Sequence, residues 1–342
     1  MTRRIIGLVV AAVGLYFVWP ALVKVFGSVG QLSTIRPGWF VAMAGLELAS
    51  FVCVWLLIGL SVSSSHWLLI ATAQLVGNAV SSIVPGGAAA GGPLQFSYMV
   101  RAGEEPGRTA SGLTAASLLT TTTLFGLAAL CVPLTFRLEN VDPRLERAGW
   151  LGLGAFMILF AVGAVALALD GPMRTAGRAT QWLLNHARRR RPPVVDLDAR
   201  LLAERNRVRH ALGTHWPWAL LAVVSKWAFD YFALLAAIAA SGAKVQTIPV
   251  LLAYVAASVL GMIPITPGGL GFVEAGLAVT LVWAGLPAAN ATLATLAYRL
   301  VSYWLPLVLG IVAAVVYRTR YHTAGENPPA AGATARARHS AS

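Results

Sequence analysis

Apolar residues in this chain fall into long uninterrupted runs that short polar segments separate. About 20 consecutive apolar residues are enough for an α-helix to cross the hydrocarbon core of a bilayer. The pattern therefore predicts an all-α polytopic membrane protein with about eight full spans. The runs lie at 5–26, 37–60, 66–83, 113–135, 148–169, 216–241, 246–263 and 289–317.

Two further apolar segments, 85–102 and 267–284, are broken by proline and glycine. Each begins with Pro-Gly-Gly, where proline ends the preceding helix and glycine permits a tight turn. Non-helical backbone at membrane depth is tolerated only against protein or a water-filled cavity, because unpaired N–H and C=O groups are costly in hydrocarbon. The pattern predicts two half-helices, each of which either crosses the membrane or re-enters it. If they re-enter, one of the eight uninterrupted runs is not a full span.

The two broken segments also indicate an internal repeat. Residues 85–87 and 267–269 both read Pro-Gly-Gly, and 102–103 and 284–285 both read Ala-Gly, with the same separation of 182 positions. The alternative is that such turns recur by chance in a chain with 33 glycines. Matching broken helices in two inverted halves are typical of transporters whose binding site lies near the membrane midplane. We therefore expect an inverted repeat that brings the two breaks together around a polar pocket.

Basic residues complete the domain organisation. Arginines are concentrated in 174–209 and after residue 317, and Arg3 and Arg4 precede the first apolar run. Because basic loops stay on the cytoplasmic side, the N-terminus, the connector and the tail are all expected there, at the cell membrane. The predicted parts are an N-terminal membrane half (1–171), a basic connector (172–212), a C-terminal membrane half (213–318) and a disordered tail (319–342).

Composition excludes several other classes of protein. The chain is 57% hydrophobic and only 11% charged, whereas soluble domains are about 25% charged. Its net charge of +13 does not indicate nucleic-acid binding, because the arginine run at 186–193 has no interleaved aromatic residues and no recognisable binding module occurs. Cys53 and Cys131 lie inside apolar runs, and the histidines lack a metal-like or triad-like spacing. No cofactor, metal or catalytic constellation is predicted, and the protein is not expected to be an enzyme.

Several ionisable residues lie inside the apolar runs, where they are costly and usually functional. Lys226 and Asp230 are four residues apart on one helical face and can pair. With Glu47 they are candidates for gating or coupling. The alternatives are that Lys226 and Asp230 neutralise each other in packing and that Glu47 bonds a neighbouring helix.

The second break carries the strongest candidate site. Glu274 follows it and can pair with Arg299, unless the arginine extends to the membrane surface instead. In the first copy, Gly92 and Ser117 occupy the equivalent places. A helix that begins after such a break directs its amide end at the pocket and favours an anionic headgroup. The predicted substrate-binding residues are Pro85, Gly86, Gly87, Gln95, Arg101, Pro267, Gly268, Gly269, Gly271, Glu274 and Arg299.

At these residues the chain resembles the flippase-like family related to the transmembrane region of lysylphosphatidylglycerol synthases. The resemblance rests on "IPITPGGLGFVEAGL" (263–277), the Ala-Gly at 284–285, "AYRLVSYW" (297–304) and, more loosely, 78–103. It implies movement of a membrane lipid with an anionic or lipid-linked headgroup between leaflets. Because no GxxxxGK[ST] motif occurs, the energy would come from a gradient, the membrane potential or the lipid imbalance.

Two other functions stay open. A membrane scaffold would not transport, and would bind a lipid or glycan synthase, such as a glycosyltransferase, through 172–212. A lipid-modifying membrane enzyme would need a carboxylate or histidine cluster near one membrane surface.

Overall fold

The described part of the protein consists mainly of α-helices, with two 3-10 turns and one π-helical turn, and it contains no β-strand. The computed structural model describes residues 32–33, 35–84, 87–135, 142–187, 196, 198–199, 202–203, 205–206, 213–244, 247–263 and 266–321. The predicted first span (5–26) and the tail beyond residue 321 lie outside them. The helices are α1 (Pro37–Val62), α2 (Trp67–Ile83), α3 (Ala88–Arg101), α4 (Pro106–Thr135), α5 (Pro143–Ala168), α6 (Asp170–Ala187), α7 (Trp216–Ala240), α8 (Thr247–Gly261), α9 (Phe272–Trp283), α10 (Ala288–Arg299) and α11 (Leu305–Tyr321).

Among the described residues, five helical stretches are long and apolar enough to cross a membrane, which confirms the all-α polytopic class. They are Pro37–Val62, Pro106–Cys131, Pro143–Val165, Trp216–Ala240 and Ala288–Tyr321. The predicted spans 66–83 and 246–263 instead form α2 and α8, which have 17 and 15 residues. Both are shorter than the roughly 20 residues that a full crossing needs. These two helices are shorter than the full spans predicted there, because each break ends the helix early.

The helices α2 and α3 form an antiparallel hairpin, the first hairpin, with its tip at the first break. Gly77, towards the end of α2, lies against Gly91, at the beginning of α3. A Cβ added to Gly91 would overlap the Gly77 carbonyl oxygen, so glycine is what lets the two backbones approach. Residues close to the break on both sides are therefore neighbours, as they must be when the chain reverses direction.

The helices α8 and α9 form the second hairpin in the same way. Gly276, near the start of α9, faces Leu260, near the end of α8. Further from the break, the Thr280 hydroxyl lies 3.4 Å from the Ala253 carbonyl oxygen. The two broken segments thus fold back on the short helices that precede them, which favours the re-entrant alternative over a full crossing.

The separation of 182 positions also marks matching backbone conformations. Gly87 and Gly269 end the two breaks with positive φ angles of 42° and 69°. Gly103 and Gly285 end the two hairpins with φ angles of 103° and 93°. The residue after each closes the same 3.1 Å hydrogen bond, from Glu104 N to Met99 O and from Leu286 N to Leu281 O. These are Schellman caps, which glycine satisfies without strain.

The packing between the halves is reciprocal. The helices α1 and α7, which are equivalent in the repeat, pack along each other. The first hairpin packs through α2 on α11, and the second packs through α8 on α4. Gly310 of α11 fits against Ala79 and the Leu75 carbonyl group of α2. Exchange of equivalent helices is what a two-fold relation between the halves requires, and it brings both hairpins to the centre of the bundle.

Candidate functional site

The tips of the two hairpins touch. The second tip, a 3-10 turn at Pro267–Gly269, rests against the end of α2. A Cβ added to Gly268 would lie 2.7 Å from the Ser82 carbonyl oxygen and would also overlap the Tyr303 ring. The Tyr303 hydroxyl donates to the same Ser82 carbonyl oxygen at 3.0 Å. Glycine, with a φ angle of 59° at this position, is therefore required for the contact.

An ion pair holds the second tip. The guanidinium Nε of Arg299 donates to Glu274 Oε1 at 2.8 Å, and its Nη2 donates to the Gly268 carbonyl oxygen at 3.2 Å. The other Glu274 oxygen accepts from the Gly271 backbone N–H at 2.6 Å and caps α9. The predicted pair of Glu274 and Arg299 is confirmed, and Arg299 points at the hairpin rather than at the membrane surface.

A π-helical turn, Leu300–Trp304, follows Arg299 directly. It presents Arg299 and Tyr303 to the same tip, with the guanidinium carbon 4.9 Å from the centre of the Tyr303 ring. Turns of this kind occur mainly at functional sites, because the extra residue re-aims side chains at the cost of regular hydrogen bonds. The turn thus positions both side chains that contact the second tip.

A second polar cluster is buried between α1, α7, α8 and α10. The predicted pair of Lys226 and Asp230 is confirmed, with Nζ and Oδ2 3.0 Å apart. The other Asp230 oxygen accepts from the Tyr298 hydroxyl at 2.6 Å. Glu47, only 4% exposed, places its carboxyl group beside that of Asp230. Tyr254 also faces Asp230, without a hydrogen bond of good geometry.

The two polar groups are joined through consecutive residues of α10. Tyr298 binds Asp230 in the buried cluster, and Arg299 binds Glu274 at the hairpin tip. A rotation or shift of this part of α10 would therefore act on both. The tyrosines were missed from the sequence, where a hydroxyl in an apolar run is easily taken for a packing residue.

The first copy offers different chemistry. Pro85 and Gly86 lie outside the described residues, and Gly87 is the residue before α3. Gln95 is half-buried, and its Nε2 has no hydrogen-bond partner within the described ranges. Arg101 is exposed at the far end of α3, about 20 Å from the tip at 1.5 Å per residue. The structure gathers the predicted residues of the second copy at the tips, but it does not bring Arg101 there.

A clamp at the base of the first hairpin was also missed from the sequence. The Glu104 carboxylate accepts from Ser64 Oγ at 2.5 Å and lies 3.0 Å from His66 Nδ1. Burial alone would raise the pKa of Glu104, but the hydrogen bonds from Ser64 and His66, with the charges of His66 and Arg108, bring it below its usual value. The clamp ties the loop before α2 to the loop after α3.

Short helical hairpins meeting at their tips among long apolar helices define a polytopic membrane protein with broken helices at its centre. The chain belongs to the family described as the lysylphosphatidylglycerol synthase TM region, whose family model matches residues 4–310. This confirms the family predicted from the Pro-Gly-Gly motifs.

Two proteins of Methanothermobacter thermautotrophicus, each described as a UPF0104 membrane protein, are similar over shorter stretches. One is 29% identical over 87 residues, which are 25% of this chain and 26% of the relative. The other is 31% identical over 91 residues, which are 27% of this chain and 26% of the relative. Each match thus spans about a quarter of the relative's length.

Proposed function

We propose that this protein moves a lipid with an anionic or lipid-linked headgroup between the leaflets of the cell membrane. The observation that carries the proposal is the meeting of the two hairpin tips, with Glu274 and Arg299 at the contact. A polar headgroup cannot pass through hydrocarbon without partners for its charge, and broken helices supply such partners at membrane depth.

The second tip suggests how a headgroup is bound. The amide end of α9 and the Arg299 guanidinium both favour an anion, and in this structure Glu274 occupies both, at the Gly271 N–H and at Arg299 Nε. An incoming phosphate would compete with Glu274 for the same donors. When the phosphate replaces Glu274 at Arg299 and at the Gly271 N–H, or Glu274 replaces the phosphate, the site opens or closes while these donors always keep an anionic partner.

The hairpins also provide a route from either side. With α2 and α8 assigned to hairpins, the predicted first span together with α1, α4 and α5 gives an even number of crossings before the connector. This agrees with a cytoplasmic N-terminus and a cytoplasmic connector. The first hairpin then enters from the cytoplasmic side and the second from the opposite side, so that their tips close a path that is open to each face in turn.

Transport by purified protein in liposomes tests the proposal. Fluorescent analogues of anionic and zwitterionic phospholipids are followed as they move between leaflets, at matched protein density. We expect Glu274→Gln and Arg299→Gln to slow translocation by about tenfold or more, since a hydrogen bond to a charged group contributes about 1.5–3 kcal/mol. Glu146→Gln, which alters a carboxylate in the first turn of α5, is the matched control and should transport normally.

The other candidate functions give different results in the same liposomes. Translocation no faster than in protein-free vesicles would contradict the proposal and favour a scaffold. A chemically altered lipid, detected by mass spectrometry, would favour an enzyme. Equal transport by wild type and Glu274→Gln would show that the tip ion pair is not the headgroup site.

A further inference from the structure

The charges that lie between α1, α7, α9 and α10 balance only if one carboxyl group holds a proton. Lys226 is paired with Asp230, and Arg299 is paired with Glu274. Glu47 then remains as an unbalanced negative charge. An uncompensated charge is strongly destabilising inside a protein, and it is also costly within the hydrocarbon core of a bilayer.

The hydrogen bonds identify which carboxyl group is neutral. Both oxygens of Asp230 are engaged, by Lys226 Nζ and by the Tyr298 hydroxyl. Both oxygens of Glu274 are engaged as well. Glu47 Oε1 is buried and has no hydrogen-bond partner within the described ranges. A carboxylate in that position would face the Asp230 carboxylate without a cation of its own, since Lys226 and Arg299 are each paired with another carboxylate. A carboxylic acid can instead donate its proton to the Asp230 carboxylate beside it.

Titratable and charged groups face Glu47 from three other helices. From α7 it faces Lys226 and Asp230, from α8 Tyr254, and from the end of α10 Tyr298 and Arg299. The helices α2 and α4 and the π-helical turn Leu300–Trp304 also pack on α1. The titratable residue of the turn is Tyr303, whose hydroxyl donates to the Ser82 carbonyl oxygen. No charged residue occurs in α2, and the one in α4 is in its first turn, near Glu104. No further cation in the described ranges stands ready to balance Glu47.

We propose that Glu47 is a proton-binding site that is loaded and unloaded as the second hairpin moves. Loading adds one proton from water to the Glu47 carboxylate, and unloading returns that proton to water. Ionised Glu47 repels Asp230 and attracts Lys226, which weakens the bonds from Lys226 and Tyr298 to Asp230. Because Tyr298 precedes Arg299, this change reaches the ion pair at the hairpin tip. The coupling to movement rests on the proposed function, but proton binding itself does not.

Infrared spectroscopy of the purified full-length protein tests the proton site without any transport assay. A protonated carboxylic acid has its own C=O stretching band, which shifts in D₂O and is absent for a carboxylate. We expect wild type at neutral pH to show such a band and Glu47→Gln to lose it. Glu274→Gln, the matched control, should keep the band. In wild type the Glu274 carboxyl group is already ionised and paired with Arg299, so its removal does not affect the protonated acid.

Two results would overturn the proton site. One is the absence of a protonated-acid band at neutral pH, and the other is a band that persists in Glu47→Gln. A wild type that lacks the band and is thermally stabilised by sodium ions, when Glu47→Gln is not stabilised, would assign the position to a metal cation instead. Glu47→Gln is isosteric with the neutral acid, so its thermal unfolding should stay close to that of wild type, and a large loss of stability would also contradict the proposal.

Liposomes that enclose a pH indicator test the coupling separately. Wild type should acidify or alkalinise the interior while lipid moves, and Glu47→Gln should lose the proton flux and the pH dependence of lipid movement. Proton binding in the infrared experiment without lipid movement by wild type would refute the proposed function and leave the proton site standing. Lipid movement that keeps its pH dependence in Glu47→Gln would refute the coupling alone.

Discussion

The two hairpins share a backbone plan but differ in where they carry charge. The second hairpin has its ion pair at the tip, between Glu274 and Arg299. In the first hairpin the equivalent positions are Gly92 and Ser117, and the charge lies at the base, on Glu104. The base of the second hairpin is instead tied by a neutral bond from Asn290 Nδ2 to the Ser241 carbonyl oxygen, 2.6 Å long.

This difference shows that the repeat preserves geometry more strictly than chemistry. Positive φ angles recur at Gly87 and Gly269 and at Gly103 and Gly285, since only such residues let the chain reverse and cap its helices. The side chains at the tips can differ between the two repeats without changing this backbone conformation. Under the proposed function, the charged tip binds the headgroup and the charged base fixes the hairpin in place.

The largest effect on stability is expected when one of the two charges of the tip ion pair is removed and the other is left. Arg299→Met leaves Glu274 without its guanidinium partner at membrane depth and should destabilise the protein by about 3–5 kcal/mol. The double variant Arg299→Met with Glu274→Gln removes both charges and should recover most of that loss, although it should still fail to transport. Thermal unfolding in detergent measures the three proteins together. Equal destabilisation by the single and double variants would contradict the pairing.

A smaller effect on stability is expected when a methyl group is added to one hairpin or to the other, because only the second hairpin is in tight contact at the added position. Gly268→Ala places a methyl group against Ser82 and Tyr303 at a positive φ angle and should cost about 1–3 kcal/mol. Gly92→Ala is the matched change on the first hairpin, where nothing lies within 4 Å of an added Cβ. In the helix it should be neutral or stabilising by up to about 1 kcal/mol. Similar unfolding temperatures for the two variants would contradict the tip contact.

The smallest effect concerns pH at the base of the first hairpin. The pKa of Glu104 is below its usual value of 4.5 in the folded protein. The carboxylate therefore stabilises the fold above that usual value, and this contribution is lost as the pH falls below it through the folded pKa. Unfolding of wild type and Glu104→Gln should thus converge in acid, while Asn290→Ala should show the same loss at every pH. A difference between wild type and Glu104→Gln that persists in acid would contradict the clamp.

Much of this architecture could be predicted from the sequence, because proline, glycine and charge in an apolar chain act locally. The breaks, the repeat and both ion pairs follow from residues such as Gly268, Glu274 and Asp230. The hairpins were harder to predict, since an apolar run of 17 or 15 residues differs from a full span by about one helical turn. The positions of Tyr298 and Arg101 depend on how helices pack, which no local pattern encodes.

Cross-linking in native membranes tests the central claim most directly. Ala79 of α2 and Leu270 beside the second tip belong to one buried cluster, and cysteines at both positions, with Cys53 and Cys131 replaced by alanine, should be joined by a short bismaleimide. Cysteines at Arg101, exposed at the far end of α3 about 20 Å from the tip, and Leu270 are the control pair and should not be joined. Efficient linkage of the first pair alone is the predicted result. Equal linkage of both pairs, or none of either, would contradict the meeting of the two hairpin tips.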